Sequence, residues 1–279
     1  MARQVRIAVV QPSGEPDALE TGLRLLAEAG EMGVDVACLP EYFNLLGQPL
    51  ARWPEGAEPP GGPAETRVRA VAAEHHMYVI LPLALRSGAR LTNEALIIGR
   101  DGQIEGTYIK THLARAADVE LMGASAGNDL PVFDLDFGRV GIMICYDNYF
   151  PEVAATLAAR GAEIIFYPHL QAGPSELVWE TQLRARAVDH CVYVAAACPG
   201  VKRSSFWRPG MLFGRSAVVG PDGLSLCDAG RYEGIATAEV DLDQPHLMDI
   251  THDGDVRDLR KLIREDRRPE LYGVLSVGA

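Results

Sequence analysis

The amino-acid sequence predicts an α/β protein built from two similar halves whose sheets pack together. Apolar, strand-like runs alternate along the chain with amphipathic helical segments, which is the pattern of α/β proteins. Several of these runs are apolar at every position, as expected for strands that are covered on both faces. The third observation is an internal repeat, in which segments of the first half recur in the same order 115 to 133 residues later.

The repeat is clearest around two buried strands and two hairpins. Residues 33–41 (GVDVACLPE) read like residues 161–169 (GAEIIFYPH), and residues 97–102 (IIGRDG) read like residues 218–223 (VVGPDG). The two halves meet near residue 135, and no Ser/Gly-rich linker separates them. We therefore expect one duplicated domain and not two independent ones.

Each half shows the same order of elements. A short strand precedes a helix, a buried strand that ends in proline, a second helix, another buried strand and a hairpin with an Asp-Gly turn. The predicted strands are 5–10, 34–39 and 78–82 in the first half and 140–144, 163–167 and 192–197 in the second. The predicted helices are 18–32, 64–75, 151–160 and 175–188, followed by a charged helix at 255–264 in the tail.

Composition excludes several classes of protein. The chain has 279 residues, of which 48% are hydrophobic and 23% are charged, as in folded soluble domains and unlike disordered chains. Its 26 Lys and Arg residues against 38 Asp and Glu residues give a net charge of −12. This acidic balance argues against binding to nucleic acid or to anionic membranes. The longest apolar run, residues 77–85, is too short to span a bilayer.

The cysteines indicate a reducing compartment. There are five of them, an odd number, and the apolar run near the N-terminus is only residues 7–10, which is no signal-peptide core. We therefore expect reduced thiols and a cytoplasmic location.

Three polar residues stand at the ends of predicted strands, where α/β sheets place their sites. They are Glu41, Lys110 and Cys145. Cys145 is followed within six residues by Pro151, a helix-starting proline, so the thiol would lie at a tight strand–turn–helix elbow. Each residue taken alone also fits a structural role, as a core thiol, a solvated carboxylate or a surface lysine. Together they would provide the base and the cation that a thiol nucleophile needs.

Three motifs carry a family resemblance. They are LPEYF at residues 39–43, YIKTHL at 108–113 and GIMICYDNYFPE at 141–152. Taken in this order and at these spacings, they resemble the nitrilase superfamily of carbon–nitrogen hydrolases, and the likeness covers nearly the whole chain. The resemblance implies a four-layer αββα sandwich that forms a single domain. We expect it to cover residues 1–279, with halves at about 1–135 and 136–245 and a C-terminal extension at 246–279.

The resemblance also implies a mechanism. The family's Glu–Lys–Cys triad matches Glu41 as general base and acid, Lys110 as oxyanion stabiliser and Cys145 as nucleophile. A second family glutamate matches Glu120, which otherwise is a loop carboxylate. The family needs no metal or organic cofactor, so none is implied here. The expected reaction cleaves a non-peptide carbon–nitrogen bond and releases ammonia through a cysteine thioester.

The branch of the family is predicted from the residue after the nucleophile. True nitrilases usually carry tryptophan there, whereas this chain has Tyr146, which favours an amidase or an N-carbamoyl hydrolase. The alternatives are a nitrilase that converts nitriles to acids and a non-catalytic nitrilase-like binding protein. An N-acyltransferase is a further rival, but such relatives generally add membrane segments.

Candidate substrate-binding residues lie near these motifs and in one later loop. They are Tyr42, His112, Tyr146, His169 and Trp207. For the two histidines, a hydrogen-bonded structural role is the alternative. The loop of Trp207 also holds Lys202, Arg203 and Arg208, which suit a substrate carboxylate. The alternative is a solvated loop whose aromatic side chains are buried in a subunit contact. We expect a small amide or carbamoyl compound as substrate, and the resemblance implies a homodimer or a larger homo-oligomer.

Overall fold

A computed structural model of the protein describes residues 3–170, 175–205, 214–249, 252 and 254–276. The chain divides into two compact units, Met1–Leu242 and Asp243–Ala279. In the described residues the strands are β1 (Gln4–Gln11), β2 (Val36–Cys38), β3 (Tyr78–Ser87), β4 (Arg90–Ile98), β5 (Ile104–Ile109), β6 (Val132–Leu135), β7 (Gly138–Ile142), β8 (Ile164–Pro168), β9 (Tyr193–Ala197), β10 (Ala217–Val219), β11 (Ser225–Asp228), β12 (Gly234–Asp241), β13 (Leu247–Asp249) and β14 (Val256–Asp258). The α-helices are α1 (Ala18–Glu31), α2 (Trp53–Gly56), α3 (Pro63–His75), α4 (Pro151–Ala159), α5 (Glu176–His190) and α6 (Leu259–Glu265).

The first unit contains two mixed sheets. In the described residues one sheet has the strand order β12-β1-β2-β3-β4-β5 and the other has the order β11-β10-β9-β8-β7-β6. The central strands of each sheet run parallel, and the hairpin strands are antiparallel. The Asp-Gly turns at Gly102 and Gly223 lie in the predicted hairpins, with positive φ angles of 76° and 78° that glycine adopts without strain.

Four layers result from these sheets and their helices. The two sheets face each other across a common core that contains Ile7 from β1 and Phe166 from β8. Helices α1 and α3 cover the outer face of the first sheet through side chains such as Leu26. Helices α4 and α5 cover the outer face of the second sheet through side chains such as Leu157. The predicted αββα sandwich is thereby confirmed.

Close packing of α1 positions the chain that follows β2. A Cβ atom on Gly22 of α1 would lie only 2.4 Å from the ring of Phe43, so glycine allows this ring to press against the helix backbone. Phe43 is completely buried and stands two residues after Glu41. The contact therefore holds the segment that carries Glu41 against the outer helix layer.

The two halves exchange strands at their ends. β6 belongs by sequence to the first half, yet it pairs with β7 in the second sheet. β12 lies at the end of the second half, yet it pairs along its whole length with β1 in the first sheet. The repeat seen in the sequence therefore describes the central elements of each half, whereas the edge strands tie the halves together.

The second unit contains the hairpin of β13 and β14 and the helix α6. The predicted helix at 255–264 is wrong at its beginning, because residues 256–258 form β14. The Asp258 carboxylate accepts the backbone N–H of Arg260 and caps the helix, which begins only at Leu259.

Candidate active site

The ends of three strands bring Glu41, Lys110 and Cys145 to one place. Glu41 follows β2, Lys110 follows β5 and Cys145 follows β7. Together they line a cavity of about 450 Å³. The backbone N–H of Lys110 donates to the carbonyl oxygen of Asn93 at 2.9 Å, which continues the pairing of β4 with β5 up to the cavity.

The ammonium group of Lys110 stands between two carboxylates. Its Nζ atom donates to Oε1 of Glu41 at 2.8 Å and to Oδ2 of Asp118 at 2.8 Å. The exposed fractions of the three side chains are 1% for Lys110, 2% for Glu41 and 0% for Asp118. Because buried charged groups are costly without partners, the contacts of Lys110 with both carboxyl groups offset part of the cost of burying this cluster.

Asp118 is held by four donors. Its Oδ2 atom accepts from Lys110 and from the backbone N–H of Ala114, the latter at 2.7 Å. Its Oδ1 atom accepts from the hydroxyl of Tyr42 and, at 3.3 Å, from Nδ2 of Asn93. Asn93 also donates to Oε1 of Glu41 at 2.8 Å, so the same amide ties both carboxylates together. The result is a closed network that defines the position of the lysine.

Glu120, the expected second glutamate, does not join this cluster. Its side chain is 63% exposed and accepts from Nε of Arg115 at 3.2 Å. Glu120 and Asp118 lie two residues apart in a short π-helix, Arg115–Leu121, so their side chains face different directions. The acidic residue beside Lys110 is therefore Asp118. The sequence held no signal that separates the two acids, because apolar residues flank both of them.

Cys145 lies at the elbow that the sequence predicts. Its φ angle is +46°, in the left-handed region that residues other than glycine adopt at a cost, and a short 3₁₀ helix begins at this residue. The Asp147 carboxylate stabilises the turn by accepting the N–H of Ile144 at 2.8 Å and the hydroxyl of Tyr108 at 2.7 Å. The turn thus presents the thiol to the cavity together with the first backbone N–H groups of the helix.

The electrostatics suit acid–base chemistry at the thiol. Burial raises the pKa of the Cys145 thiol, the nearby Glu41 carboxylate raises it further, and Lys110 opposes both effects. Burial also raises the pKa of Glu41, against the lowering effect of Lys110. For Lys110 burial opposes the charge, but Glu41, Cys145 and Asp118 together raise its pKa above the usual value. The resting site therefore holds a neutral thiol beside a carboxylate base and a permanent ammonium group.

Two of the expected substrate-binding residues lie beside the elbow. Tyr146 is partly exposed, and its ring contacts those of Tyr149 and Phe150. His112 stacks on Phe150 with ring centroids 3.9 Å apart, and its Nδ1 atom lies 3.0 Å from Oδ1 of Asp147. Neither side chain is among the described residues that line the cavity. His112 lines a separate, open pocket instead.

The remaining candidates differ in their positions. His169 is fully buried between Tyr167, with nearly parallel rings 4.6 Å apart, and Trp179, at 5.7 Å. Burial lowers the pKa of His169 to about 3, so the imidazole is neutral. Tyr42 lines the cavity. Trp207 lies outside the described residues. The described structure thus places Tyr42, and none of the three other described candidates, at the cavity wall.

Most of the cavity wall was not singled out in the sequence. Apart from the charged cluster, the described lining includes apolar side chains from the loops after β2, β8 and β9, such as Leu46, Trp53, Leu170 and Pro199. Leu46 and Trp53 belong to residues 42–57, a stretch that the sequence indicates only as the loop between β2 and α3. No pattern in such a loop tells which of its apolar side chains turn towards the site.

The comparisons with known proteins agree with this fold. The sequence model of the family described as carbon-nitrogen hydrolase matches residues 6–246. The chain therefore belongs to this family within the nitrilase superfamily, and it is a hydrolase that acts on carbon–nitrogen bonds.

Curated relatives and solved structures cover nearly the whole chain. Omega-amidase NIT2 of Bos taurus is 33% identical over 255 residues, with 85% of this chain and 88% of the relative covered. Deaminated glutathione amidase of Homo sapiens is 31% identical, with 97% and 84% covered. A double mutant of the amidase from Nesterenkonia sp. AN1 in complex with acrylamide superposes with a TM-score of 0.77 at 24% identity, over 98% and 97% of the two chains. The NitFhit protein of C. elegans gives a TM-score of 0.78 at 27% identity, over 96% and 66%.

Two features are absent from the part of the chain that the structure describes. None of the helices there combines the length and the apolar character needed to cross a membrane. Within the same residues, no group of three or more His, Cys, Asp or Glu side chains has an arrangement that could hold a metal ion.

Proposed function

We propose that the protein hydrolyses the carbon–nitrogen bond of small amides or N-carbamoyl compounds and releases ammonia through a thioester on Cys145. The observation that carries this proposal is the meeting of Cys145, Glu41 and Lys110 in one cavity. Relatives named as amidases support an amide over a nitrile as substrate.

The first step is attack by the thiol. Glu41 takes the Cys145 proton as the sulfur forms a bond to the carbonyl carbon of the substrate. The carbonyl oxygen becomes an oxyanion, which the ammonium of Lys110 and the backbone N–H of Tyr146 stabilise. The N–H of Tyr146 is suited to this role because it belongs to the first turn of a helix and has no intrahelical acceptor.

The second step divides the intermediate and regenerates the thiol. Glu41 returns its proton to the leaving nitrogen, ammonia departs, and the acyl group remains on Cys145 as a thioester. Glu41 then takes a proton from a water molecule, whose oxygen attacks the thioester carbon. The carbon–sulfur bond breaks, the thiol recovers its proton, and the acid leaves. One amide and one water thus yield one acid and one ammonia.

In this mechanism Asp118 is a positioning residue. It accepts from Lys110 and is itself held by Tyr42, Asn93 and the N–H of Ala114. The carboxylate that contacts the lysine is thus Asp118, and not Glu120, which matches the second family glutamate in sequence. The lysine is therefore held in place before the oxyanion forms, and no reorganisation is needed at that moment.

The test measures ammonia released from primary amides, N-carbamoyl amino acids, N-carbamoyl amines and nitriles. We expect release from amides or carbamoyl compounds that is lost in Cys145→Ala and kept in Cys227→Ala, which alters a half-buried cysteine outside the cavity. Intact-protein mass spectrometry of a rapidly quenched reaction should show an acyl adduct on the wild-type chain. Release from nitriles alone, or full activity of Cys145→Ala, would overturn the proposal.

We also propose that the protein is a homo-oligomer in the cytoplasm. Exposed apolar side chains support the homo-oligomer. Val188 of α5 is exposed and lies near Gly223, which is followed by the exposed Leu224. All five cysteines are free thiols, which supports a reducing compartment. Light scattering should give a mass of at least twice 30.2 kDa, and a monomer would contradict the proposed homo-oligomer.

A further inference from the structure

The described wall of the cavity is mostly apolar. Tyr42, Leu46 and Trp53 form one side of it, and all three are buried in the protein except where they face the cavity. The Tyr42 hydroxyl is already used by Asp118, and Nε1 of Trp53 donates to the carbonyl oxygen of Gln48 at 3.1 Å. The polar atoms of these two aromatic side chains are therefore satisfied inside the protein.

The charged side chains at the base of the cavity disfavour a substrate that carries a carboxylate. The charged side chains among the described lining residues are Glu41, Asp118 and Lys110, so two carboxylates face one ammonium. Both contacts of Lys110 at 2.8 Å are with these carboxylates. A substrate carboxylate beside these described side chains would lose its water shell next to two carboxylates and one ammonium, which is unfavourable.

The size of the cavity limits the acyl group. At about 30 Å³ for a water-sized group, its volume of about 450 Å³ holds roughly fifteen such groups. Ligand cavities commonly span about 300 to 1,000 Å³, so this one is at the small end. The amide itself and the tetrahedral carbon use part of this space next to Cys145.

We propose that the site selects small, uncharged amides with an apolar acyl chain and discriminates against amides whose acyl chain carries a carboxylate. This inference rests on the proposed function, because it assumes that the cavity holds the acyl part of the substrate. The apolar wall stabilises a hydrocarbon chain by removing it from water, whereas the carboxylates repel an anionic one.

The test compares two substrates of the same shape. In 4-methylpentanamide an isopropyl group stands where succinamate has its carboxylate, and both are primary amides. We expect kcat/KM for 4-methylpentanamide to exceed that for succinamate at least tenfold. Equal values, or a preference for succinamate, would overturn the selectivity and leave amide hydrolysis itself established. Ammonia from N-carbamoyl compounds alone would overturn the acyl-chain selectivity and leave the proposed function standing. No ammonia from any amide or carbamoyl compound would overturn both proposals.

A charge-insertion variant tests the cause of the selectivity. Leu50 lines the cavity and is 60% exposed, so Leu50→Arg adds a cation there without burying it. We expect the ratio of the two kcat/KM values to shift up to about fivefold towards succinamate, in the range of exposed ion pairs. Met32→Arg adds the same charge at an exposed site outside the described cavity lining and should leave the ratio unchanged. An unchanged ratio in Leu50→Arg, or an equal shift in Met32→Arg, would refute the electrostatic explanation.

Discussion

Replacing Lys110 by methionine should destabilise the protein as well as inactivate it. The substitution Lys110→Met keeps an unbranched side chain of similar length, replaces one methylene by sulfur and removes the ammonium group. It leaves Glu41 and Asp118, whose oxygens both lie 2.8 Å from Nζ and so at most twice that distance apart, without their shared cation. Breaking a buried ion pair by removing one partner costs about 3–5 kcal/mol, because a buried charge is left uncompensated.

This loss of folding free energy corresponds to a decrease in the melting temperature, Tm. For a folded unit of this size, 1 kcal/mol corresponds to about 2–4 °C, so Lys110→Met should lower Tm by roughly 6–20 °C. Differential scanning calorimetry at pH 7 measures the shift. Under the proposed mechanism the same variant loses an oxyanion donor, and kcat in the ammonia assay should fall by about 10²–10³.

The pH dependence gives a second, independent readout. Lys110 lowers the pKa of Glu41, so its removal raises the pKa of that carboxylate in the folded protein. The folded variant then binds more protons than the unfolded chain as the pH falls, and its deficit in Tm should shrink towards acid pH. Arg115→Met, which breaks the exposed pair with Glu120, should change Tm by no more than about 4 °C. A Tm for Lys110→Met within 2 °C of wild type at pH 7 would refute the reasoning.

Three further predictions concern the same region. Burial raises the pKa of Glu41 and Asp118 raises it further, so kcat/KM should begin to fall at a pH above the usual glutamate range as the base is protonated. Asp118→Asn should move this acid limb of the pH profile to lower pH. An unmoved limb would contradict the effect of Asp118 on the pKa of Glu41. Asp118→Asn should lower kcat at least tenfold and Glu120→Gln by less than twofold, and the reverse order would restore Glu120 as the second acid. A Cβ atom on Gly47 would lie 1.8 Å from the carbonyl oxygen of Glu15, whereas one on Gly61 meets nothing within 4 Å, and both have φ near +77°. Gly47→Ala should therefore lower Tm clearly more than Gly61→Ala, whose cost is limited to about 1–2 kcal/mol of backbone strain.

The sequence by itself determined the order of the elements and the three residues at the centre of the cavity. Helix bounds such as 151–160 and 64–75 agree with the structure within one residue, because helix periodicity and N-terminal proline are local signals. Glu41, Lys110 and Cys145 could be singled out because each directly follows a strand of the predicted sheets. Glu41 and Lys110 follow strands of the first sheet, whose carboxyl ends lie at one edge, so their approach depends little on side-chain detail. Cys145 follows β7 of the second sheet, and it reaches the other two residues only because the two sheets pack face to face.

Other features were decided only by the tertiary structure. The choice of Asp118 over Glu120 depends on which face of the short helix Arg115–Leu121 packs inwards. Apolar residues flank both acids in the sequence, so the sequence does not tell which face this is. The exchange of β6 and β12 between the sheets, and the apolar wall that includes Leu46 and Trp53, depend on contacts between residues far apart in the chain. Strand periodicity tells which side chains share a face, but not which strand becomes the neighbour. Pairing and burial are properties of the assembled layers, and these set the surroundings of the three central residues.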